Sequence, residues 1–118
     1  MSGETLRTFY RVVKADPSKL EDFLSNRAKG WPSRGVEIAR PELWEGLSVY
    51  DSEANARRKA RQVPAIGSYI ARVDLPAEAS FKYEKTGGRG HYTLWAEART
   101  LLDNVVEVVP VEQEEQVG

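Results

Sequence analysis

The stretch Leu43–Val63, LWEGLSVYDSEANARRKARQV, decides how the rest of the chain is arranged. Gly46 predicts a tight turn, and Leu47–Tyr50 alternates apolar and polar side chains as a short strand does. A helix follows, capped at its start by Asp51 or Ser52. The apolar stripe of this helix is made of small residues, which predicts close packing on a sheet: Ala56, Ala60 and Val63.

Five further segments are rich in β-branched and aromatic residues and predict the other strands of that sheet. They are Leu6–Val13, Gly67–Leu75, Ser80–Lys85, Tyr92–Trp95 and Val105–Val111. The last is almost continuously β-branched, so we expect it to be buried on most of both faces. Its Pro110 nevertheless places its end at a sheet edge.

Helices are predicted on both sides of the opening stretch. Asp16-Pro17 has the chemistry of a helix start and Gly30 that of a helix end, which predicts a helix between them. Pro41 begins a single turn, and Ala96–Asp103 predicts a short helix. The segment Trp31–Arg40 lacks periodicity and predicts a loop.

The predicted fold is a single α+β domain over residues 5–112. We expect a mixed or antiparallel curved sheet of about five to six strands with about three helices packed on it. Residues 1–4 and 113–118 are expected to be flexible ends.

Composition narrows the classes of function. The chain has 118 residues, no cysteine and a net charge of −1. The absence of cysteine excludes disulfides, thiol catalysis and thiolate metal sites, and the near-neutral charge argues against a nucleic-acid partner. No apolar run approaches the roughly 20 residues that span a bilayer. We therefore expect a cytoplasmic protein without a membrane partner.

No standard enzyme signature is present, and the sequence leaves open whether the protein is an enzyme. His91 is the only histidine, so it cannot assemble a metal site with the usual spacing, and no metal is predicted. A triad of Ser48, His91 and a carboxylate has no geometric support in the sequence.

One constellation of residues remains as a candidate ligand site. Arg11 lies between Phe9 and Val13 on one face of the first strand. This position indicates either a packed stem whose head reaches water or a carboxylate, or an anion-binding arginine. Adjoining strands would bring a cation, hydroxyls, an aromatic ring and a glycine-rich loop to a small anionic or nucleotide ligand. The candidate residues are Arg11, Ser48, Tyr50, Arg89 and His91.

Two motifs carry a resemblance to a known family. The run Phe9-Tyr10-Arg11-Val12-Val13, together with Trp44-Glu45-Gly46-Leu47-Ser48-Val49-Tyr50-Asp51 before an alanine-rich helix, resembles small bacterial ADP-ribosyltransferase-fold domains. The closest likeness is to the toxin domains named for their Arg–Glu–Ser residues. The chain also resembles uncharacterised small bacterial proteins.

The resemblance implies that NAD binds in the cleft of a split, strongly bent sheet. Arg11 would then contact the dinucleotide, and Ser48 or Tyr50 would supply a supporting hydroxyl. It also implies a catalytic glutamate, for which the sequence offers Glu84, Glu97 and Glu107 without a motif to choose among them.

Two hypotheses follow from the sequence. The first is an ADP-ribosyltransferase-like domain that binds NAD or a related nucleotide. The second is a non-catalytic interaction or regulatory module that holds a protein partner through cations of the central helix: Arg57, Arg58 and Arg61.

Overall fold

The computed structural model describes residues 7–30, 32 and 36–112, which form one α+β domain around a six-stranded antiparallel curved sheet. The strand order is β4-β5-β2-β1-β3-β6. The strands are β1 (Arg7–Val13), β2 (Leu47–Tyr50), β3 (Tyr69–Leu75), β4 (Lys82–Lys85), β5 (His91–Trp95) and β6 (Val105–Pro110). The predicted fold class is confirmed, whereas the ends predicted to be flexible, 1–4 and 113–118, lie outside the described residues.

Four α-helical segments accompany the sheet: α1 (Val36–Ala39), α2 (Pro41–Trp44), α3 (Glu53–Gln62) and α4 (Ala98–Asp103). The side chain of Ser52 caps α3 by accepting a hydrogen bond of 3.1 Å from the backbone N–H of Asn55. The helices predicted from the sequence over Ser52–Val63 and Ala96–Asp103 are confirmed to within two residues at each end. None of the helices in the described part of the chain is long and apolar enough to cross a membrane.

The helix predicted between Asp16 and Gly30 is wrong. Only a 3-10 turn, Leu20–Phe23, forms there, because the Asp22 carboxylate accepts hydrogen bonds from the backbone N–H groups of Lys14 and Lys19, each 2.9 Å long. These bonds fold the segment back onto the end of β1 and bury Phe23. Tertiary contacts therefore override the local helix signals.

The loop predicted over Trp31–Arg40 is also wrong in part, because α1 occupies Val36–Ala39. This one-turn helix leads directly into α2, whose start at Pro41 was predicted. Four residues are too few for the apolar periodicity that would have revealed α1 in the sequence.

The sheet buries apolar side chains on both faces, as the sequence of β1 predicts. On one face the core joins β1, β2, β3 and β5 to Phe23 and to Leu101 of α4. On the other face Val12 and Ile70 pack against Ala56 and Ala60 of α3. The two alanines are at most 2 % exposed, so α3 lies close to the sheet.

Strand β6 corrects a second expectation. It forms the outer edge beside β3, and its side chains are half-buried or exposed rather than covered on both faces. Val106 is 57 % exposed. A β-branched run therefore indicates a strand without fixing its depth in the sheet.

The ladder between β1 and β2 is the shortest in the sheet. Strand β1 pairs with β3 over seven residues, from Arg7 to Val13, but its register with β2 has one residue pair, Tyr10 with Tyr50. The two strands are neighbours in one continuous six-stranded sheet, and Arg11 lies next to that single pair.

Candidate functional site

Arg11 of β1 donates hydrogen bonds to two backbone carbonyl groups. Its Nε donates to the carbonyl oxygen of Asp22 in the 3-10 turn at 2.6 Å, and its Nη1 donates to the carbonyl oxygen of Ser48 in β2 at 2.8 Å. The two bonds fix the guanidinium at two points. Both readings of Arg11 from the sequence stay predictions.

The positive charge of Arg11 has no ion-pair partner in the described part of the chain. Burial lowers the pKa of Arg11 to about 10, although the nearby negative charge of Asp22 acts in the opposite direction. The side chain is therefore still a cation at neutral pH. Three of its five N–H groups remain after the two carbonyl bonds.

A cavity of about 540 Å³ opens beside Arg11. Its wall includes three lysines as well as Arg11, and the exposed hydroxyl side chain of Ser48 lies on β2. Burial lowers the pKa of Lys29, the charges of Arg11 and Lys14 lower it further, and the charge of Asp22 acts in the opposite direction. Four cations thus line the cavity, Arg11, Lys14, Lys29 and Lys59, and Asp22 lines an adjoining one.

A second cavity, of about 570 Å³, lies between α3 and the glycine-rich loop that joins β4 to β5. Its lining includes Ser48, Tyr50 and Lys59, which also line the first cavity, so the two adjoin along β2. We call the two cavities together the cationic groove. All five predicted site residues line it: Arg11, Ser48, Tyr50, Arg89 and His91.

The glycine-rich loop is held against the start of α3. The backbone N–H of Asp51 donates to the carbonyl oxygen of Gly90 at 3.0 Å. Gly90 has a φ of 63°, and a Cβ atom there would collide with the side chains of Asp51 and Asn55. Only glycine fits this junction without strain, so the loop that carries Arg89 has a fixed position relative to α3.

His91 lies opposite Tyr50 in the β2–β5 ladder. Its Nδ1 contacts the carbonyl oxygen of Thr86. Because a carbonyl oxygen can only accept a hydrogen bond, Nδ1 carries the proton. In the neutral ring Nε2 then carries the lone pair. Nε2 makes no hydrogen bond to any residue that the structure describes, so it can accept a proton or a hydrogen bond from a ligand.

Tyr50 does not offer the free ring face that base stacking needs. It is 7 % exposed, its ring contacts the His91 ring edge-on at 5.3 Å between centroids, and it packs with Ala56 and Ala60. Burial raises the pKa of Tyr50, and the charge of Arg11 lowers it by less. The contribution of Tyr50 to the groove is therefore a neutral phenol hydroxyl.

The three candidate glutamates lie outside the cationic groove. Glu84 is in β4, where it binds Arg40 at 3.1 Å. Glu97 lies before α4 beside a different cavity, and Glu107 pairs with Arg72 across β3 and β6. No carboxylate lines the groove among the residues that the structure describes.

The cations of α3 divide into two groups with different surroundings. Arg57 donates to the carbonyl oxygens of Val111 and Pro110 at 3.0 and 3.3 Å, and Arg61 binds Glu112, so both hold the end of β6. The other face of α3 lines the groove. Sequence reasoning missed most of this face, although its spacing of three and four residues is a signal for it: Asn55, Arg58, Lys59 and Gln62.

No protein-family model matches the chain, and comparison with curated proteins and with solved structures found no significant match.

Proposed function

We propose that the cationic groove binds the phosphate group of a nucleotide, with NAD or a related dinucleotide as the candidate ligand. The observation that carries this proposal is the charge of the lining. Six arginines and lysines and one histidine line the groove, and no carboxylate does so in the described part of the chain: Arg11, Lys14, Lys29, Arg58, Lys59, Arg89 and His91. A negatively charged phosphate would offset the electrostatic repulsion among these cations.

Arg11 is the residue that we expect to contact the phosphate. Its guanidinium is already fixed by two carbonyl groups, so little side-chain freedom is lost when a ligand binds. A planar guanidinium also matches the geometry of phosphate oxygens. Because the charge lies in a partly desolvated position without an ion pair, an anion gains more from it there than from a solvated arginine.

Other features of the groove support a nucleotide over a simple inorganic anion. Each cavity has the volume typical of small-molecule sites, roughly 300–1,000 Å³. Ser48 and Tyr50 supply hydroxyl groups for a ribose, and Asn55 and Gln62 supply amides.

We propose binding rather than glutamate-dependent transfer. Glu84, Glu97 and Glu107 lie away from the groove, so the described residues supply no carboxylate to orient a ribose there. His91, with its free Nε2, is the one base among the described residues of the lining.

Calorimetric titration at low salt tests this proposal. Wild-type protein should bind NAD and ADP but not adenosine or nicotinamide, which lack phosphate. Arg11→Ala should weaken NAD binding by about tenfold or more, as expected for a lost hydrogen bond to a charged group. Lys59→Ala should also weaken it, and because Lys59 is exposed its loss should leave thermal stability unchanged.

Arg99→Ala is the matched control, since Arg99 lies in α4 and pairs with Asp103. NAD binding by that variant should equal that of the wild type. Absence of heat from NAD at millimolar concentration would contradict the proposal. Equal binding of NAD by wild type and by Lys59→Ala and Arg11→Ala would contradict it too.

A further inference from the structure

The cationic groove has a second cluster of positive charge at the end opposite Arg11. Arg58 from α3 and Arg89 from the glycine-rich loop line the same cavity as Lys59. Neither arginine forms an ion pair or a hydrogen bond with another residue in the part of the chain that the structure describes. Both side chains are exposed, so their charges are available to a ligand.

The two clusters are separated along β2. Arg11 binds the carbonyl group of Ser48, whereas the glycine-rich loop joins the end of the strand through the hydrogen bond between Asp51 and Gly90. Three residues of extended chain from Ser48 to Asp51 span roughly 10 Å. This separation favours a ligand whose two phosphates are spaced apart over a ligand with one phosphate.

The second cluster is held in place by the fold. Gly90 contacts Asp51 and Asn55 so closely that the loop cannot shift relative to α3 without losing this contact. Asn55 and Gln62 lie on the face of α3 that carries Arg58, and they add amide donors to the same cavity. Two arginines from different elements are thereby directed to one cavity, which favours a localised anion.

We propose that the groove recognises nucleotides that carry two separated phosphate groups, and that Arg58 and Arg89 bind the second one. This inference rests on the proposed function and narrows its ligand class. NAD has only its pyrophosphate, which Arg11 would hold. NADP carries a further phosphate on the adenosine ribose. Adenosine 3′,5′-bisphosphate likewise carries two phosphate groups that are not linked directly to each other.

Calorimetric titration with NAD, NADP and adenosine 3′,5′-bisphosphate tests the inference. Wild-type protein should bind NADP, adenosine 3′,5′-bisphosphate or both about tenfold more tightly than NAD and AMP, which lack the second, separate phosphate. Arg58→Ala and Arg89→Ala should each remove most of that preference, because they should weaken binding of the ligand with the second phosphate more than binding of NAD. Arg99→Ala should preserve the preference.

The outcomes separate this inference from the proposed function. If NAD binds and a second phosphate does not raise the binding affinity, the inference is contradicted and the proposed function stands. The inference also falls if Arg89→Ala weakens NAD and NADP equally. If no nucleotide binds at millimolar concentration, both proposals fall. Because Arg58 and Arg89 have no described partner, unchanged unfolding temperatures are expected for the variants and should be measured alongside.

Discussion

Arg11 shows how one side chain can have a structural role and still be available to a ligand. It links β1 to the 3-10 turn through the carbonyl group of Asp22 and to β2 through that of Ser48, and it forms no ion pair with a described carboxylate. Burial lowers its pKa in the folded protein to about 10, so the unfolded chain holds the proton more tightly. The buried charge therefore lowers stability below pH 10, and this cost is lost as the pH rises from 10 towards the ordinary pKa of arginine.

The two carbonyl bonds of Arg11 predict a cost for a conservative substitution. Arg11→Lys keeps the charge but replaces a planar fork with a single ammonium group, which leaves at least one of the two carbonyl groups without its donor. We expect the free energy of unfolding to fall by about 1–3 kcal/mol in chemical denaturation. Arg99→Lys, on the exposed face of α4, should change it by less than about 0.5 kcal/mol. Equal stability of the two variants would show that the carbonyl bonds of Arg11 are not formed.

The raised pKa of Tyr50 predicts that the stability of the folded protein falls at alkaline pH. Its pKa is raised by burial, so the neutral phenol is favoured in the folded state. The stability that it contributes is fully present below the ordinary pKa of 10.0 and is lost as the pH rises through the higher folded value. In a spectroscopic titration of the folded protein, one of the five tyrosines should ionise late, and Tyr50→Phe should remove that phase. A late phase that survives in Tyr50→Phe would refute the assignment.

At the scale of elements, the sequence predicts what local patterns determine and misses what distant contacts determine. The six strands were predicted within about two residues because alternation and β-branching are local signals. The Asp16–Gly30 helix was wrong because Asp22 bonds to the backbone of Lys14, which no periodicity reports. The five site residues line two adjoining cavities, Arg11 the first and Arg89 and His91 the second. The sequence offered cations of α3 only as a surface for a protein partner, without the amides of Asn55 and Gln62 beside them.

The junction between the glycine-rich loop and α3 predicts different effects for two neighbouring glycines. Gly90→Ala would place a Cβ atom against Asp51 and Asn55 at a positive φ, which costs about 1–2 kcal/mol for the backbone alone. Gly88→Ala meets nothing within 4 Å and should be neutral or slightly stabilising. Thermal unfolding of both variants checks this. Equal unfolding temperatures would contradict the close contact at Gly90.

Substitutions in the two groups of cations on α3 are expected to change the free energy of unfolding by different amounts. Arg57→Ala removes the donors to Pro110 and Val111 and should lower the free energy of unfolding by about 1–3 kcal/mol. Arg58→Ala, one residue away, should leave stability within about 0.5 kcal/mol of the wild type. Chemical denaturation of the pair measures the difference. A stability loss for Arg58→Ala as large as that for Arg57→Ala would mean that α3 is oriented differently.

At the scale of the whole molecule, a net charge of −1 conceals an uneven distribution. Several surface carboxylates are neutralised by arginines that do not line the groove, as in the pairs Arg27–Glu45 and Arg40–Glu84. The cations of the groove include several without an ion pair. Net charge from the sequence argues against a nucleic-acid partner, and that stays a prediction. It could not reveal a local positive field, because that field depends on which side chains the fold brings together.

The central claim is that the cationic groove binds a nucleotide through its phosphate, and an NMR titration with NAD tests it most directly. Backbone amide signals of Ser48, Tyr50 and His91 should shift with a single saturating dependence on NAD concentration. Signals of Val106 and Glu107, on the distant edge strand, should remain unchanged, and the shifts should be lost in Arg11→Ala. Spectra that do not change at millimolar NAD, or shifts that map to the β6 edge instead of the groove, would contradict the account.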